Sequence, residues 1–193
     1  IYTMNSDGTN QVQITNLGYR NYNVDWSPNG TQLALMTNSF TNGGEFHIAI
    51  VDIDGNNLQR LTNNGGQNST PEWSPDGTKL AYSAMIDGSR QIVIYDFLSQ
   101  EEIQLTTGES HKENPSWALN SLHIIYNTVD PSSSELFLIN IKQKESLQIT
   151  RGSGKKHYRI SVLMQSRRLC RHGTLNRWPH IQPMRRWYFS LSV

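Results

Sequence analysis

The sequence predicts an all-β protein, a fragment of a β-propeller made of four-stranded antiparallel blades, with about three complete units and parts of others. Three observations support this prediction: a repeat of 44–47 residues, short strand-like segments separated by Asp-Gly or Asn-Gly turns, and the lack of helical periodicity over residues 1–150. Repeats of about 40–45 residues that contain short strands are typical of propeller blades, each of which is a small antiparallel sheet.

The repeat is defined by an apolar residue followed by Thr, which closes each unit. These pairs recur at spacings of 47, 44 and 44 residues, at Ile14-Thr15, Leu61-Thr62, Leu105-Thr106 and Ile149-Thr150. A Trp follows each of the first three pairs after 11 residues, at Trp26, Trp73 and Trp117. One aromatic residue at a fixed position of every repeat predicts packing between neighbouring blades. A carbohydrate platform built from the same tryptophans is the alternative interpretation.

The middle repeat shows all four strands of a blade. Its Trp lies on a short first strand, and the following "SPDG" supplies the residues of a tight hairpin turn. The second strand is "TKLAYSA". The run "QIVIYDF" is almost wholly apolar and is predicted to be an inner or middle strand covered on both faces. The last strand, "EEIQLTT", alternates polar and apolar residues and is predicted to form the outer edge, where Glu101 and Glu102 discourage stray pairing.

The repeats divide the chain into a propeller part, residues 1–160, and a basic tail, residues 161–193. Within the propeller part, the predicted units are the end of one blade at 1–16 and successive blades at 22–63, 69–107 and 113–151. The N-terminal residues have neither a basic stretch nor an apolar run of the kind found in signal peptides. We therefore expect a piece of a longer protein.

The tail differs sharply in composition from the rest of the chain. Residues 1–150 hold 7 Lys and Arg and all 16 Asp and Glu, a balance of −9, whereas residues 151–193 hold 10 Lys and Arg and no acid. A basic tail can bind nucleic acid. The repeat register is nevertheless lost at Ser161, where a Trp is expected, and this favours a translated frameshift or a junction with foreign sequence. We expect a non-native or disordered tail and no nucleic-acid partner.

Several motifs resemble those of a known family. The sequence "WSPDG" with a following "LAY" and a closing "LT" is similar to the propeller repeats of the TolB family, periplasmic components of the Tol-Pal cell-envelope system, over residues 1–160. The segments "ENPSWALNS", "SSSELFLINI" and "ITRGSGKK" resemble the last part of a TolB chain. Similar repeats occur in the propellers of prolyl-oligopeptidase-type serine peptidases.

The resemblance to TolB implies a non-catalytic adaptor. Such a protein docks a peptidoglycan-associated lipoprotein and other Tol proteins, supports outer-membrane integrity, works in the periplasm as a monomer, and is peripheral to the membrane at most. Two other functions remain open at this point. One is the substrate-gating propeller of a prolyl-oligopeptidase-type peptidase, and the other is a propeller that binds a carbohydrate or another ligand.

The sequence predicts no catalytic site, metal site or cofactor. The segment "RGSGKKH" lacks the glycine spacing of a phosphate-binding loop, and no Gly-x-Ser-x-Gly nucleophile motif is present. The Gly of "VDIDGNN" comes too early for a calcium loop of the EF-hand type, so a hairpin turn is expected there. The histidines are scattered, with His47 and His123 at strand starts and His111 in a connector. The single Cys170 cannot form a disulfide within the chain.

The candidate partner-binding residues lie in the loops that lead from the closing Thr of one unit to the Trp of the next. In a propeller these loops gather at one face of the ring, where binding sites are common. The predicted residues are Arg20, Asn21 and Tyr22 in the first loop, Asn68, Ser69 and Thr70 in the second, and Lys112, Glu113 and Asn114 in the third.

Overall fold

A computed structural model describes residues 1–16, 18–130 and 133–152 of the chain. The predictions for the tail at residues 161–193 lie outside the described residues. The regular secondary structure of the described residues is almost entirely β-strand, which confirms the predicted fold class. None of their helices has the length and apolar character needed to cross a lipid bilayer.

The strands form four antiparallel sheets. A two-stranded sheet contains β1 (Tyr2–Thr3) and β2 (Val12–Gln13). The first blade contains β3 (Asn21–Trp26), β4 (Gln32–Thr37), β5 (His47–Asp52) and β6 (Gln59–Arg60), with a 3₁₀-helix at Ser39–Thr41. The second contains β7 (Ser69–Trp73), β8 (Lys79–Ile86), β9 (Ser89–Asp96) and β10 (Glu101–Gln104). The third contains β11 (His111–Trp117), β12 (His123–Val129), β13 (Leu136–Asn140) and β14 (Ser146–Gln148).

Each blade is a simple meander in which every strand pairs with the next one along the chain. The first strand therefore lies at one edge of the sheet and the fourth strand at the other. The first strands β3, β7 and β11 contact one another in succession, so the blades converge on them. The apolar strand β9 lies between β8 and β10, as predicted, and β10 forms the edge. Four antiparallel strands per blade are the arrangement expected of a propeller.

The turn after each of the first two tryptophans is held by side chains rather than by packing. In the second blade, Asp76 Oδ1 accepts hydrogen bonds from Ser74 Oγ at 2.6 Å and from the backbone N–H of Thr78 at 3.0 Å. Gly77 has a φ of +72°, a conformation that side chains with a Cβ rarely adopt. Asn29 makes the corresponding bonds in the first blade. The Ser-Pro-Asp-Gly segment is therefore a structural hairpin.

Two tryptophans lie at the centres of the contacts between neighbouring blades. We call the contact between the first and second blades the first joint, and that between the second and third blades the second joint. Trp73 is 6% exposed and packs with Ala34, Ile48 and Ile50 of the preceding blade. Trp117 is 1% exposed and packs in the same way on Ala81, Ile92 and Ile94 of the second blade. Packing between blades is thus confirmed for these two residues, and the burial of such large side chains stabilises the contact.

Each joint also contains a polar contact between first strands. The Asp25 carboxylate accepts the backbone N–H of Trp73 at 2.7 Å, and the Glu72 carboxylate accepts the N–H of Trp117 at 3.0 Å. Burial raises the pKa of both carboxyl groups, that of Glu72 to about 7, and the nearby Asp25 adds to the rise for Glu72. The residues before Trp26 and Trp73 therefore connect their blades to the following ones.

The closing Thr of each unit fastens the fourth strand to the third. The hydroxyl group of each Thr accepts a hydrogen bond from a backbone N–H of the third strand. The pairs are Thr62 with Ile48 at 3.1 Å, Thr106 with Ile92 at 2.8 Å, and Thr150 with Leu136 at 2.9 Å. Each hydroxyl also contacts a polar side chain at the third strand. Thr62 contacts His47, Thr106 contacts Gln91, and Thr150 contacts Glu135, which directly precedes β13. These hydrogen bonds explain why the apolar-Thr pair recurs in every repeat.

Trp26 departs from the predicted packing. Its side chain is 46% exposed, in contrast to the buried Trp73 and Trp117. The sheet before the first blade contains only β1 and β2 in the described structure, and its Ile1 and Ile14 pack on Leu33, Leu35, Ala49 and Val51 rather than on Trp26. Within residues 1–16, 18–130 and 133–152, no inner strand of a preceding blade packs against this tryptophan.

This difference predicts unequal costs for two truncations in this chain. Trp73→Ala is expected to lower the free energy of unfolding by about 3–5 kcal/mol, because it leaves a cavity in a buried joint. Trp26→Ala is expected to cost about 1 kcal/mol or less, because the side chain is already half exposed. Urea denaturation followed by circular dichroism measures both values. Equal losses for the two variants would contradict the packing described here.

Candidate interaction surface

One end of the blades carries the connectors that lead from each unit to the next. Antiparallel pairing places the hairpins between second and third strands at this same end. We define the connector face as the described residues of these segments together with the first residues of β3, β7 and β11. The connectors run over residues 14–20, 61–68 and 105–110, and the hairpins over 38–46, 87–88 and 130–135. All nine predicted partner-binding residues belong to this face.

The first connector presents an exposed aromatic residue. Tyr22 is 47% exposed and its ring lies 5.9 Å from that of Phe46. Arg20 is exposed, and its backbone N–H donates to Asn38 Oδ1 at 2.9 Å. Asn21 is half-buried and donates from Nδ2 to the carbonyl of Tyr19 at 2.9 Å. Arg20 and Tyr22 are therefore accessible, whereas Asn21 is partly used to shape the loop.

The second connector contains one buried residue among the three predicted. Asn68 is 0% exposed, and its Nδ2 donates to Asn64 Oδ1 at 2.7 Å and to the carbonyl of Phe46 at 3.3 Å. A side chain in this position shapes the loop and is not exposed at the surface of the described residues. Ser69 and Thr70 are half-buried, and Thr70 Oγ1 lies 3.2 Å from Ser83 Oγ.

The start of β11, directly after the third connector, contains a second buried residue. Lys112 is 7% exposed, and its Nζ donates to the carbonyl of Thr107 at 2.7 Å. Burial lowers the pKa of this lysine. It too supports the loop from inside and is not part of an open basic surface. Glu113 and Asn114 are half-buried, and Asn114 Nδ2 donates to Asn127 Oδ1 at 2.9 Å.

The first strand of every blade contains a bulge beside the predicted residues. The pairing register shifts three residues before each tryptophan, and the residue there has a positive φ: 49° at Asn23, 51° at Thr70 and 54° at Asn114. Bulges of this kind redirect the neighbouring side chains. Asn tolerates this left-handed conformation, but a β-branched Thr does so at a cost in backbone strain. The three bulges fix where the connectors end.

Arg90 joins two of the three connectors, and sequence reasoning missed it. Its Nη1 donates to the carbonyl of Gln67 at 3.1 Å and to Ser69 Oγ at 3.0 Å. Its Nε forms an ion pair with Glu113 at 3.1 Å, and its backbone N–H donates to His111 Nδ1 at the same distance. Arg90 follows the Asp-Gly turn between β8 and β9. Antiparallel pairing of β8 with β9 puts that turn at the connector end of the blade. The Asp-Gly pair in the sequence could therefore have placed Arg90 near the connectors.

The first connector is linked to this network through Phe46. The Phe46 ring contacts Tyr22, and its carbonyl accepts the backbone N–H of Asn68 at 3.0 Å. Contacts therefore run from Tyr22 through Phe46 to Asn68, next to Ser69, and from there through Arg90 to Glu113. The connector face is one continuous surface across the three blades.

The connector face combines exposed aromatic residues with charges of both signs. Tyr19 is 41% exposed and Phe40 is 37% exposed, and both lie on the same blade as Tyr22. The Tyr19 hydroxyl donates to Asn42 Oδ1 at 3.2 Å. Aromatic side chains surrounded by polar groups are typical of protein-protein interfaces. The surface is thus suited to a protein partner.

The histidines of the described residues have structural contacts. His47 Nδ1 lies 3.2 Å from the Thr62 hydroxyl, and His123 Nδ1 lies 3.0 Å from Asn120 Nδ2. Both residues begin strands, as predicted, while His111 begins β11 instead of lying in a connector. Over residues 1–16, 18–130 and 133–152, no three His, Cys, Asp or Glu residues are grouped as a metal site. This part of the chain shows no catalytic arrangement.

A family model of the TolB beta propeller domain matches residues 1–159. The chain belongs to this family. The match covers the blades and the connector face, and it agrees with the repeat pattern of the sequence. No curated protein sequence matches the chain.

Solved TolB structures have a similar fold. A TolB protein from Agrobacterium tumefaciens aligns with a TM-score of 0.67 at 20% identity, covering 80% of this chain and 56% of that one. TolB from Acinetobacter baumannii aligns with a TM-score of 0.61 at 21% identity, covering 77% of this chain and 37% of that one. The present chain thus spans about half or less of the length of these proteins.

Propellers of peptidases are also similar in structure. A prolyl endopeptidase structure aligns with a TM-score of 0.61 at 12% identity, covering 81% of this chain and 27% of that one. At such identities the structural similarity shows the fold alone. The family match, not the structural neighbours, therefore assigns the chain to the TolB propellers.

The Arg90 contacts predict that one substitution loosens two connectors together. Arg90→Ala is expected to speed amide hydrogen exchange in both 67–70 and 111–114 roughly tenfold, since it removes an ion pair and two hydrogen bonds. Arg90→Lys serves as the control, because a lysine keeps the charge near Glu113 but has no planar fork for Ser69 and Gln67. Its effect should be confined mainly to 67–70. Unchanged exchange in Arg90→Ala would show that the connectors are held independently.

Proposed function

We propose that this chain is the interaction propeller of a TolB-type protein of the Tol-Pal cell-envelope system. In this role it acts in the periplasm as a non-catalytic adaptor that supports outer-membrane integrity. Its connector face docks a peptidoglycan-associated lipoprotein and other Tol proteins. The protein works as a monomer that is at most peripheral to the membrane and needs no cofactor.

The contact network around Arg90 is the observation that carries this proposal. Binding surfaces need a rigid scaffold, because ordering loops during association costs free energy. Arg90 fixes the second and third connectors to each other before any partner arrives, and Phe46 connects the first. The exposed groups on this pre-ordered surface, chiefly Tyr22 and Arg20, are then available for contact.

The contact site that we propose contains fewer residues than the nine predicted from the sequence. Asn68 and Lys112 support the loops from inside, so the contact residues that we propose are Arg20, Tyr22, Ser69 and Glu113, flanked by Asn21, Thr70 and Asn114. Aromatic and arginine side chains contribute most of the binding energy in typical protein interfaces. Tyr22 and Arg20 are therefore expected to dominate.

The proposal predicts a loss of lipoprotein binding when the connector face is changed. Tyr22→Ala and Arg20→Glu are each expected to weaken the affinity for the soluble domain of a peptidoglycan-associated lipoprotein by about tenfold or more, equivalent to ~1.4 kcal/mol. Isothermal titration calorimetry on the full chain measures the change.

Matched controls lie at the opposite end of the blades. Leu98→Ala removes an apolar side chain that is 94% exposed, and Lys142→Glu reverses an exposed charge in the turn between β13 and β14. Both controls should bind as the unchanged chain does. Equal losses at the two ends, or no binding of any lipoprotein from a panel, would count against the proposal. A peptidase domain in the same polypeptide would favour a substrate-gating propeller instead.

A further inference from the structure

A cleft lies between the first and second blades, at the end opposite the connector face. It has a volume of about 410 Å³ and is formed by the turns that follow the first two tryptophan positions, with Pro28 and Asn29 on one side and Asp76 and Gly77 on the other. Small-molecule sites in proteins commonly occupy about 300–1,000 Å³. The cleft is therefore large enough for a small ligand, and it is separate from the proposed partner surface.

The wall of the cleft contains a stacked aromatic pair. The rings of Trp73 and Phe97 are 4.8 Å apart with an interplanar angle of 9°. The indole N–H of Trp73 is buried and has no hydrogen-bond partner. A buried donor without a partner costs free energy, and this donor faces the protein interior, so it is the rings of the pair that line the cleft.

The next joint shows what closes such a cleft. There, Trp117 Nε1 donates to the carbonyl of Glu72 at 3.0 Å, and the Asp76 backbone N–H donates to Ser121 Oγ at 3.1 Å. Gly77 stands 44 residues before Ser121, at the corresponding position of the second blade. Glycine has no hydroxyl to bridge the two turns, and a Cβ built there would come no closer than 3.8 Å to Pro28. Glycine at this position therefore leaves the first joint without such a bridge.

The polar groups around the cleft include both donors and acceptors. Asn29 Oδ1 accepts from Ser27 Oγ at 2.7 Å, which leaves the amide nitrogen of Asn29 for a ligand. Gln32 Nε2 donates to Asp52 Oδ1 at 2.9 Å, which leaves the Gln32 amide oxygen. No Lys or Arg is among the described residues that line the cleft, while Asp76 is. An anionic ligand is therefore disfavoured.

We propose that this cleft binds a neutral saccharide of one or two sugar rings. The hydroxyl groups of a sugar both donate and accept, so they match the amide and carboxylate groups around the cleft. The apolar face of a sugar ring matches the aromatic wall, and the absence of charge avoids repulsion by Asp76.

The indole resonance of Trp73 provides a direct test. The full chain, labelled with ¹⁵N at tryptophan, is titrated with cellobiose and separately with N,N′-diacetylchitobiose, and the Trp73 indole signal is assigned by its loss in Trp73→Phe. At least one of these neutral disaccharides is expected to shift the Trp73 signal in a saturable way. The Trp117 signal should stay unchanged, because its N–H is already bonded to the protein.

Two matched variants connect the binding to the open joint. Gly77→Ser introduces the residue found at the corresponding position of the third blade, where Ser121 has a φ of 53°, so the turn accommodates a serine. It is expected to weaken saccharide affinity by about tenfold or more, because the ligand then competes with a bridging hydroxyl. Ser121→Gly is the control and should leave the affinity unchanged. Phe97→Ile removes one ring of the aromatic wall and introduces the residue found 44 positions later in the third blade, Ile141. This variant should weaken binding without closing the cleft.

The proposal is overturned if neither disaccharide shifts the Trp73 signal, or if the shift persists undiminished in both Gly77→Ser and Phe97→Ile. A shift produced by a lysine-containing peptide but by neither sugar would also overturn it, since it would assign the cleft to cations attracted by Asp76. Lipoprotein binding at the connector face does not depend on any of these outcomes, so the two proposals fail separately.

Discussion

The structure depends on the contact between the first strands of neighbouring blades. In two joints a tryptophan side chain packs on the preceding blade, while a carboxylate of that blade accepts the tryptophan backbone N–H. The apolar contact supplies most of the stabilisation, and the hydrogen bond fixes the position of one blade on the next. Because the residue beside each tryptophan is the one that reaches the following blade, a single short strand serves two joints. Trp73 and Glu72 show this double role.

The joints place loops with different properties at the two ends of the blades. At one end, the bulges of the first strands direct the connectors toward one another, and Arg90 fastens two of them. At the other end, the turns that follow the tryptophan positions are held by their own side chains, and Ser121 bridges two of these turns at the second joint. The ends therefore differ in chemistry: one presents exposed aromatic residues with charges of both signs, and the other contains the cleft beside Gly77.

The repeat allowed the blades, the order of the strands and the packing of Trp73 and Trp117 to be predicted, because each of these depends on a pattern that recurs at 44 or 47 residues. Features that depend on contacts between repeats were not predictable. Asn68 and Lys112 look like surface residues in the sequence but have polar partners inside their loops. The exposure of Trp26 follows from what lies before its blade rather than from its own repeat. The cleft at Gly77 appears only when two joints are compared.

The carboxyl group of Glu72 reports most directly on whether the joint forms as described. Burial between β7 and β11, together with the nearby Asp25, raises the pKa of this group to about 7, whereas an exposed glutamate titrates near 4.5. A titration of the full chain, followed by the ¹³C signal of this carboxyl group and assigned with Glu72→Gln, measures the midpoint. A midpoint near 7 is expected if the blades are joined through this contact. A midpoint near 4.5 in the folded chain would contradict the account.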